Sequence, residues 1–101
     1  MGKSIAKVKT TPNLAVKEPS MYKVIYINDD VTTMEFVIES LITVFNYAVD
    51  TAAEITQKVH DDGNAIVATL PYEMAEQKGV EVTQLARNNG FPLVIKLEPD
   101  A

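Results

Sequence analysis

Apolar residues recur at positions 34, 37, 38, 41, 42 and 45, which is the i, i+3, i+4, i+7, i+8, i+11 series of a helix with one buried face. This stretch constrains the fold most strongly. A helix of about twelve residues is marginal in water and has to be held by a surface that covers its stripe. The residues just before it supply strand character: in YKVIYIN, Tyr22, Val24 and Tyr26 alternate with Lys23, Ile25 and Ile27, and β-branched and aromatic residues dominate. Asn28-Asp29-Asp30 breaks the strand. Thr32, three residues before Glu35, has the spacing of a capping box and predicts the start of the helix.

The same logic orders the rest of the chain. Thr51 and Glu54 repeat the capping-box spacing and predict a second, shorter helix with Ala52, Ile55, Thr56 and Val59 on one face. It should stop near His60, because Asp61-Asp62-Gly63-Asn64 supplies turn residues and Gly63 suits a left-handed terminus. Ala65 to Leu70 reads as a strand, and Pro71 suits the first turn of a third helix. Ala75, Gly79, Val82 and Ala86 line one face of that helix, with Leu85 beside them. Gly79 weakens a helix by roughly 1 kcal/mol relative to Ala, so a close helix–sheet approach is expected there. Asn88-Asn89-Gly90 ends the helix, and from Pro92 to Glu98 Leu93, Ile95 and Leu97 alternate onto one face. The order strand, helix, helix, strand, helix, strand predicts an α+β domain of two layers, βααβαβ. Residues 1–20, with Pro12 and Pro19 and no sustained period, are expected to be a flexible extension, and residues 21–101 the folded domain.

Composition removes several function classes. The 101 residues contain no Cys and one His, His60, so thiolate nucleophiles, sulfur-based zinc sites and sites needing two imidazoles are excluded. No run approaches a membrane span, and the start lacks the apolar core of a secretory leader, so a cytoplasmic setting is expected. Charge is uneven. Residues 1–20 hold four lysines against Glu18, a net +3, while the remainder holds five Lys/Arg against thirteen Asp/Glu, a net −8. A domain of that charge repels phosphate backbones, so nucleic acid is not the expected partner.

Two features carry possible chemistry. Asn28-Asp29-Asp30 can be simple strand-end punctuation. With Thr32 taken as the cap, however, three consecutive acceptor side chains exceed what capping needs, and they match a cation with several donors, an ammonium group or a metal. His60 can be a helix-end residue with a local hydrogen bond, or the rim of a pocket, since it shares a face with Thr56. A divalent metal held by Asp29, Asp30, Asp61 and His60 is conceivable, but the spacing matches no known loop. No serine motif, glycine-rich phosphate loop or HExxH accompanies these residues.

The runs MYKVIYINDDVTTMEFVIESL, VHDDGNAIV and AEQKGVEVTQLARNNGFPLVIKLE closely resemble the ClpS family, adaptors that deliver N-degron substrates to Clp-type AAA+ proteases. The likeness covers roughly residues 19–98. It implies a fold shared with a ribosomal stalk-protein domain, a three-stranded antiparallel sheet with three helices, and no enzymatic activity, cofactor or metal. The implied ligand is a free α-amino end whose first residue is Leu, Phe, Tyr or Trp. The family's ammonium-binding trio falls on Asn28, Asp29 and His60. Asp30 matches the pocket wall beside the ligand backbone. The apolar pocket matches Val31, Thr32, Met34, Val37, Thr56, Val59 and Leu93, with Met34 as the gate against β-branched first residues. The unfoldase-facing surface matches Glu73 and Lys78, toward the N-terminal domain of a Clp-type unfoldase, and a monomer is implied.

Two positions depart from the family pattern. Thr33 stands where Pro is common, which is expected to loosen the start of the first helix. Thr56 stands where Met is common, which shortens a pocket-lining side chain, adds a hydroxyl and is expected to alter the order of preference among first residues. Two rival readings remain at this stage: an interaction module of the ribosomal-stalk type that ignores peptide termini, and a metal-dependent enzyme using the acidic cluster and His60.

Overall fold

The computed structural model describes residues 19–101, and its six elements follow the expected order. Strand β1 spans Met21–Ile27, helix α1 Met34–Phe45, helix α2 Val49–Asp62, strand β2 Asn64–Pro71, helix α3 Tyr72–Asn88 and strand β3 Val94–Pro99. Apart from Pro19 and Ser20, the extension expected at 1–20 lies outside the described residues. The strands form one antiparallel sheet in the order β2-β1-β3, so the first strand is the central one. Its core side carries Val24 and Tyr26, both fully buried. The helices cover that side, and one continuous cluster joins Val24 and Tyr26 to Val37, Leu41, Val59, Val82 and Leu93.

The register of β1 on β2 slips between Val24 and Ile25: Val24 faces Ala68 while Ile25 faces Ile66, and Val67 is left over as a bulge. The Tyr47 hydroxyl donates to the Val67 carbonyl. Tyr47 also stacks on Phe45, whose ring meets Tyr26 edge-on at 6.4 Å. The aromatic residues after α1 therefore brace the irregular point of the sheet. On the core face, Tyr26 and Ser40 share a hydrogen bond of 2.7 Å, and Ser40 donates onward to the Val37 carbonyl at 2.8 Å. Burial pushes the Tyr26 phenol well above its ordinary range, and the charge of a Tyr47 phenolate would add to that. The bond to Ser40 offsets only part of the rise.

Three local expectations change. Thr33, not Thr32, caps α1: it is extended at φ −77° and its hydroxyl accepts from the Phe36 N–H at 3.1 Å. The residue that stands where the resemblance places Pro thus supplies the cap itself. Helix α2 begins at Val49 with no side-chain cap on Ala48, so Thr51–Glu54 lies inside the helix and is not a capping box. At 14 residues α2 is also longer than α1, at 12: its cap falls at Ala48, three positions before Thr51, and it runs on past His60 to Asp62. The third change concerns Gly79. A Cβ placed there would meet Ile95 Cγ2 at 3.6 Å, an ordinary contact, so the helix–sheet approach does not require glycine.

Candidate functional site

Asn28 follows the last residue of the central strand, and its N–H donates to the Gly63 carbonyl at 2.9 Å. Gly63 ends α2 in the left-handed region at φ +87°, with its own N–H on the Val59 carbonyl at 3.0 Å. A side chain at this position would be strained. These two bonds fix the exit of β1 against the last turn of α2, which carries His60 as its basic residue. Asn28 and His60, 32 positions apart in sequence, are therefore brought to one end of the domain. The C-terminal end of a helix carries partial negative charge, so the position favours a cation.

The turn between Asn28 and α1 is organised by Asp29. Its Oδ1 accepts from the N–H groups of Val31 at 2.8 Å and Thr32 at 2.7 Å, and its Oδ2 accepts from the Thr32 hydroxyl at 2.7 Å. Desolvation is the largest single influence on this carboxyl and raises its pKa. The bonds from the Thr32 N–H, the Thr32 hydroxyl and the Val31 N–H, with the charge of Arg87, outweigh it and hold the pKa below the ordinary aspartate value. A carboxylate offers about four acceptor positions, so Asp29 has one left on Oδ2. Asp30 is exposed, and among the described residues its carboxylate has no hydrogen-bond partner. The three polar residues are thus not equivalent: one builds the turn, and the two flanking it are presented by it.

Of the residues expected to line a pocket, Val37, Thr56, Val59 and Leu93 are buried, none more than 5% exposed, while Thr32 and Met34 are half-buried and Val31 is 58% exposed. Val37 lies on α1, Val59 and Thr56 on α2, and Leu93 in the loop before β3. The shared core joins the three apolar ones. Exposure thus falls from Val31 through Thr32 and Met34 to the four buried positions. Thr56 is the discordant one of those four, since its Oγ1 is buried with no hydrogen-bond partner.

Sequence reasoning passed over Arg87. In the last turn of α3, its Nη1 donates to the carbonyls of Phe91 and Leu93, both at 2.9 Å, and its charge is felt at Asp29. Phe91 in turn packs on Phe36 of α1, with ring centroids 5.1 Å apart. Arg87 therefore ties the loop bearing Leu93 to the region of the Asp29 turn. A signal was available: Pro92 has no N–H, and a loop containing it needs donors from elsewhere.

Glu73 and Lys78 both lie on α3, Glu73 exposed in its first turn and Lys78 half-buried. Five residues apart, they sit about 140° apart around the helix, so they do not share one stripe. Surface grooves occur away from the rim. One of about 290 Å³ lies between Gly79, Val80 and Thr83 of α3 and Ile95 and Leu97 of β3. Another of about 300 Å³ lies on the uncovered sheet face among Lys23, Ile25, Ile66 and Lys96. Among the described residues no three His, Asp or Glu side chains converge as a metal site requires, so the set Asp29, Asp30, Asp61 and His60 is not gathered around one point. No described helix is long and apolar enough to cross a membrane.

Known proteins match this arrangement over most of the chain. The family model described as ATP-dependent Clp protease adaptor protein ClpS matches residues 17–96. The ATP-dependent Clp protease adapter protein ClpS of Clostridium acetobutylicum is 50% identical over 82 residues, covering 81% of this chain and 81% of the relative. That of Sodalis glossinidius is 49% identical over 84 residues, covering 83% and 79%. Among solved structures, Agrobacterium tumefaciens ClpS2 bound to L-phenylalaninamide superposes with a TM-score of 0.79 at 38% identity, over 82% of this chain and 100% of that one. With the family model spanning nearly all of the described residues, the chain belongs to the ClpS family of ATP-dependent Clp protease adaptor proteins.

Proposed function

We propose that this chain captures polypeptides through a free α-amino end followed by a bulky apolar first side chain, Leu, Phe, Tyr or Trp, and hands them to a Clp-type unfoldase in the cytoplasm. The observation that carries this reading is the bond that holds Asn28, next to the turn built by Asp29, against the end of α2 that carries His60. An ammonium group has three donors and no acceptor. The Asn28 amide oxygen, the remaining acceptor position of Asp29 and a ring nitrogen of His60 would serve as its three acceptors, with Asp30 at the pocket wall beside the ligand backbone. Asp29, with three of its four acceptor positions used internally, acts mainly by shaping the turn and offers at most one more. The bound terminus of the Agrobacterium relative's ligand, L-phenylalaninamide, has this chemistry, an amino group beside an aromatic side chain.

The first side chain enters past Val31, Thr32 and Met34 toward Val37, Val59 and Leu93. Met34, half-buried at the rim, acts as the gate that disfavours branching at Cβ. Burying such a side chain contributes roughly 1.5–3 kcal/mol, and each charge-assisted hydrogen bond about 1.5–3 kcal/mol. Micromolar affinity, about 8 kcal/mol, is therefore within reach of a small site after association costs. The unfoldase's N-terminal domain is met by α3 at Glu73 and Lys78, on other elements than the peptide site. The adaptor acts as a monomer, without catalysis, cofactor or metal.

Fluorescence anisotropy with a Phe-initiated peptide and its N-acetylated twin tests the reading. Acetylation removes the charge and two donors, so the acetylated peptide is expected to bind at least tenfold more weakly. Equal binding of the two would overturn the proposal in favour of an interaction module that ignores peptide termini.

A further inference from the structure

Thr56 is 2% exposed, and among the described residues its Oγ1 is the buried side-chain polar atom left without a hydrogen-bond partner. Such groups are rare in native folds, and each calls for an explanation. A helical threonine commonly places its hydroxyl on the carbonyl one turn back, but here that bond is not made. Its neighbours along the buried face of α2, Ala52 and Val59, have no polar side-chain atom to offer.

The position of Thr56 suggests what the hydroxyl meets. It precedes His60 by four residues on the same side of α2, which places it about 6 Å deeper along the helix axis. Under the reading above, the ligand's ammonium group sits at His60. A side chain descending from there reaches the level of Thr56 with its far end, about where the tip of an aromatic ring lies relative to its α-carbon. A hydroxyl is both donor and acceptor, and so is a phenol. Leucine and phenylalanine end in carbon, and the polar atom of an indole lies to one side of the ring and not at its tip.

We infer that Thr56 is a specificity-determining residue whose hydroxyl pairs with the phenol of an N-terminal tyrosine, biasing this chain toward tyrosine over phenylalanine. The inference rests on the peptide-terminus reading and deepens it. It separates two consequences of a threonine at this place: the shorter side chain enlarges the pocket for every ligand, whereas the hydroxyl distinguishes only a ligand with a polar tip.

The test uses anisotropy on the full chain with peptides identical except for Tyr or Phe at the first position, plus the N-acetylated Tyr peptide. Thr56→Val keeps the shape and removes the hydroxyl. The pair Thr56→Ser and Thr56→Ala differs only by the hydroxyl and repeats the comparison without the branched carbon, with a circular-dichroism melt to show that each variant is folded. The ratio of Tyr to Phe affinity is expected to fall about five- to tenfold from wild type to Thr56→Val, and similarly from Ser to Ala, while Phe affinity changes less than about twofold. Binding that is lost on acetylation but keeps the same Tyr to Phe ratio in all four proteins would overturn the role of Thr56 and leave the terminus reading intact. Binding indifferent to acetylation, or no binding of either peptide, would overturn both.

Discussion

Ser40 and Thr56 are buried hydroxyls on adjacent helices of one small domain, and the fold treats them oppositely. Ser40 shares a bond with Tyr26 and donates to the Val37 carbonyl, so both functions of its hydroxyl are met inside the chain. Thr56 is equally inaccessible, and its oxygen has no partner. A closed pair stabilises a unique packing of α1 on the central strand. An open group costs stability wherever it is not met. Under the inference above, the difference separates structural polarity from polarity held for a ligand. It recurs in the acidic turn, where Asp29 is engaged internally and Asp30 is not.

The comparison is broken most severely at Asp29. Replacing it with alanine removes one acceptor from two N–H groups and a hydroxyl at once, and is expected to cost about 2–3 kcal/mol of unfolding free energy. Peptide binding should be lost as well, because Asn28 and Asp30 hang on that turn. In Asp30→Ala, by contrast, the urea midpoint should barely move while peptide affinity falls. A large loss of stability in Asp30→Ala would erase the distinction between the two carboxylates. The effect of Asp29 also depends on pH. Its pKa is depressed in the folded state, so the stability it contributes is fully present above the ordinary aspartate value, about 4. That stability is lost as pH falls through the folded value. Urea titrations of wild type and Asp29→Ala should therefore differ at pH 7 and converge in stronger acid.

The closed pair gives the next largest effect. Tyr26→Phe removes the Tyr26–Ser40 bond but leaves the Ser40 hydroxyl on the Val37 carbonyl, and should destabilise by about 1–1.5 kcal/mol. Adding Ser40→Ala should cost less than the two single losses summed, because the bond between the two hydroxyls can be lost only once. A double-mutant cycle in urea with no coupling between the two positions would show that the pair is not a unit.

Much of this was legible from residue pattern because the helices and strands carry strict periods. The face Ala75, Gly79, Val82, Ala86 is the buried side of α3. On α1, by contrast, the buried residues are Phe36, Val37, Ser40, Leu41 and Val44, a face rotated from the stripe at 34, 37, 38, 41, 42 and 45, of which Ile38, Ile42 and Phe45 pack only at the edge of the core. What the pattern obscured were choices between competing local partners. Thr32 and Thr33 can both cap, and the turn decides between them because Asp29 takes the Thr32 hydroxyl. Thr51 and Glu54 have the spacing of a box, yet α2 begins at Val49 without a side-chain cap. At the proposed site, the bond that brings Asn28 to the end of the helix carrying His60 joins two residues that the motif had named. The unmet oxygen of Thr56 and the double donation by Arg87 depend on tertiary distances that no spacing encodes. Gly79 shows the converse error, an inferred close approach that the geometry does not require. Gly79→Ala should therefore raise stability by about 1 kcal/mol, a rise of roughly 4–8 °C in Tm for a domain of this size. A lower Tm would mean that α3 cannot accept even a methyl group against Ile95.

The smallest effect bears most directly on why an open hydroxyl persists. In the absence of peptide, Thr56→Val replaces an unmet buried oxygen by a methyl group of similar shape, and valine and threonine have comparable helix propensity. Free of any ligand role, the exchange should stabilise the domain by about 0.5–1 kcal/mol, since the penalty of the buried hydroxyl is removed. Saturating Tyr-initiated peptide should narrow that advantage, because the ligand stabilises the wild type by mass action in proportion to its tighter binding. A residue that weakens the empty domain and strengthens the occupied one has the signature of a site and not of a core. Thermal melts of both proteins with and without the Tyr peptide measure the two quantities together. A variant no more stable than wild type when empty would mean that the Thr56 hydroxyl is already satisfied in solution, and its contrast with Ser40 would disappear.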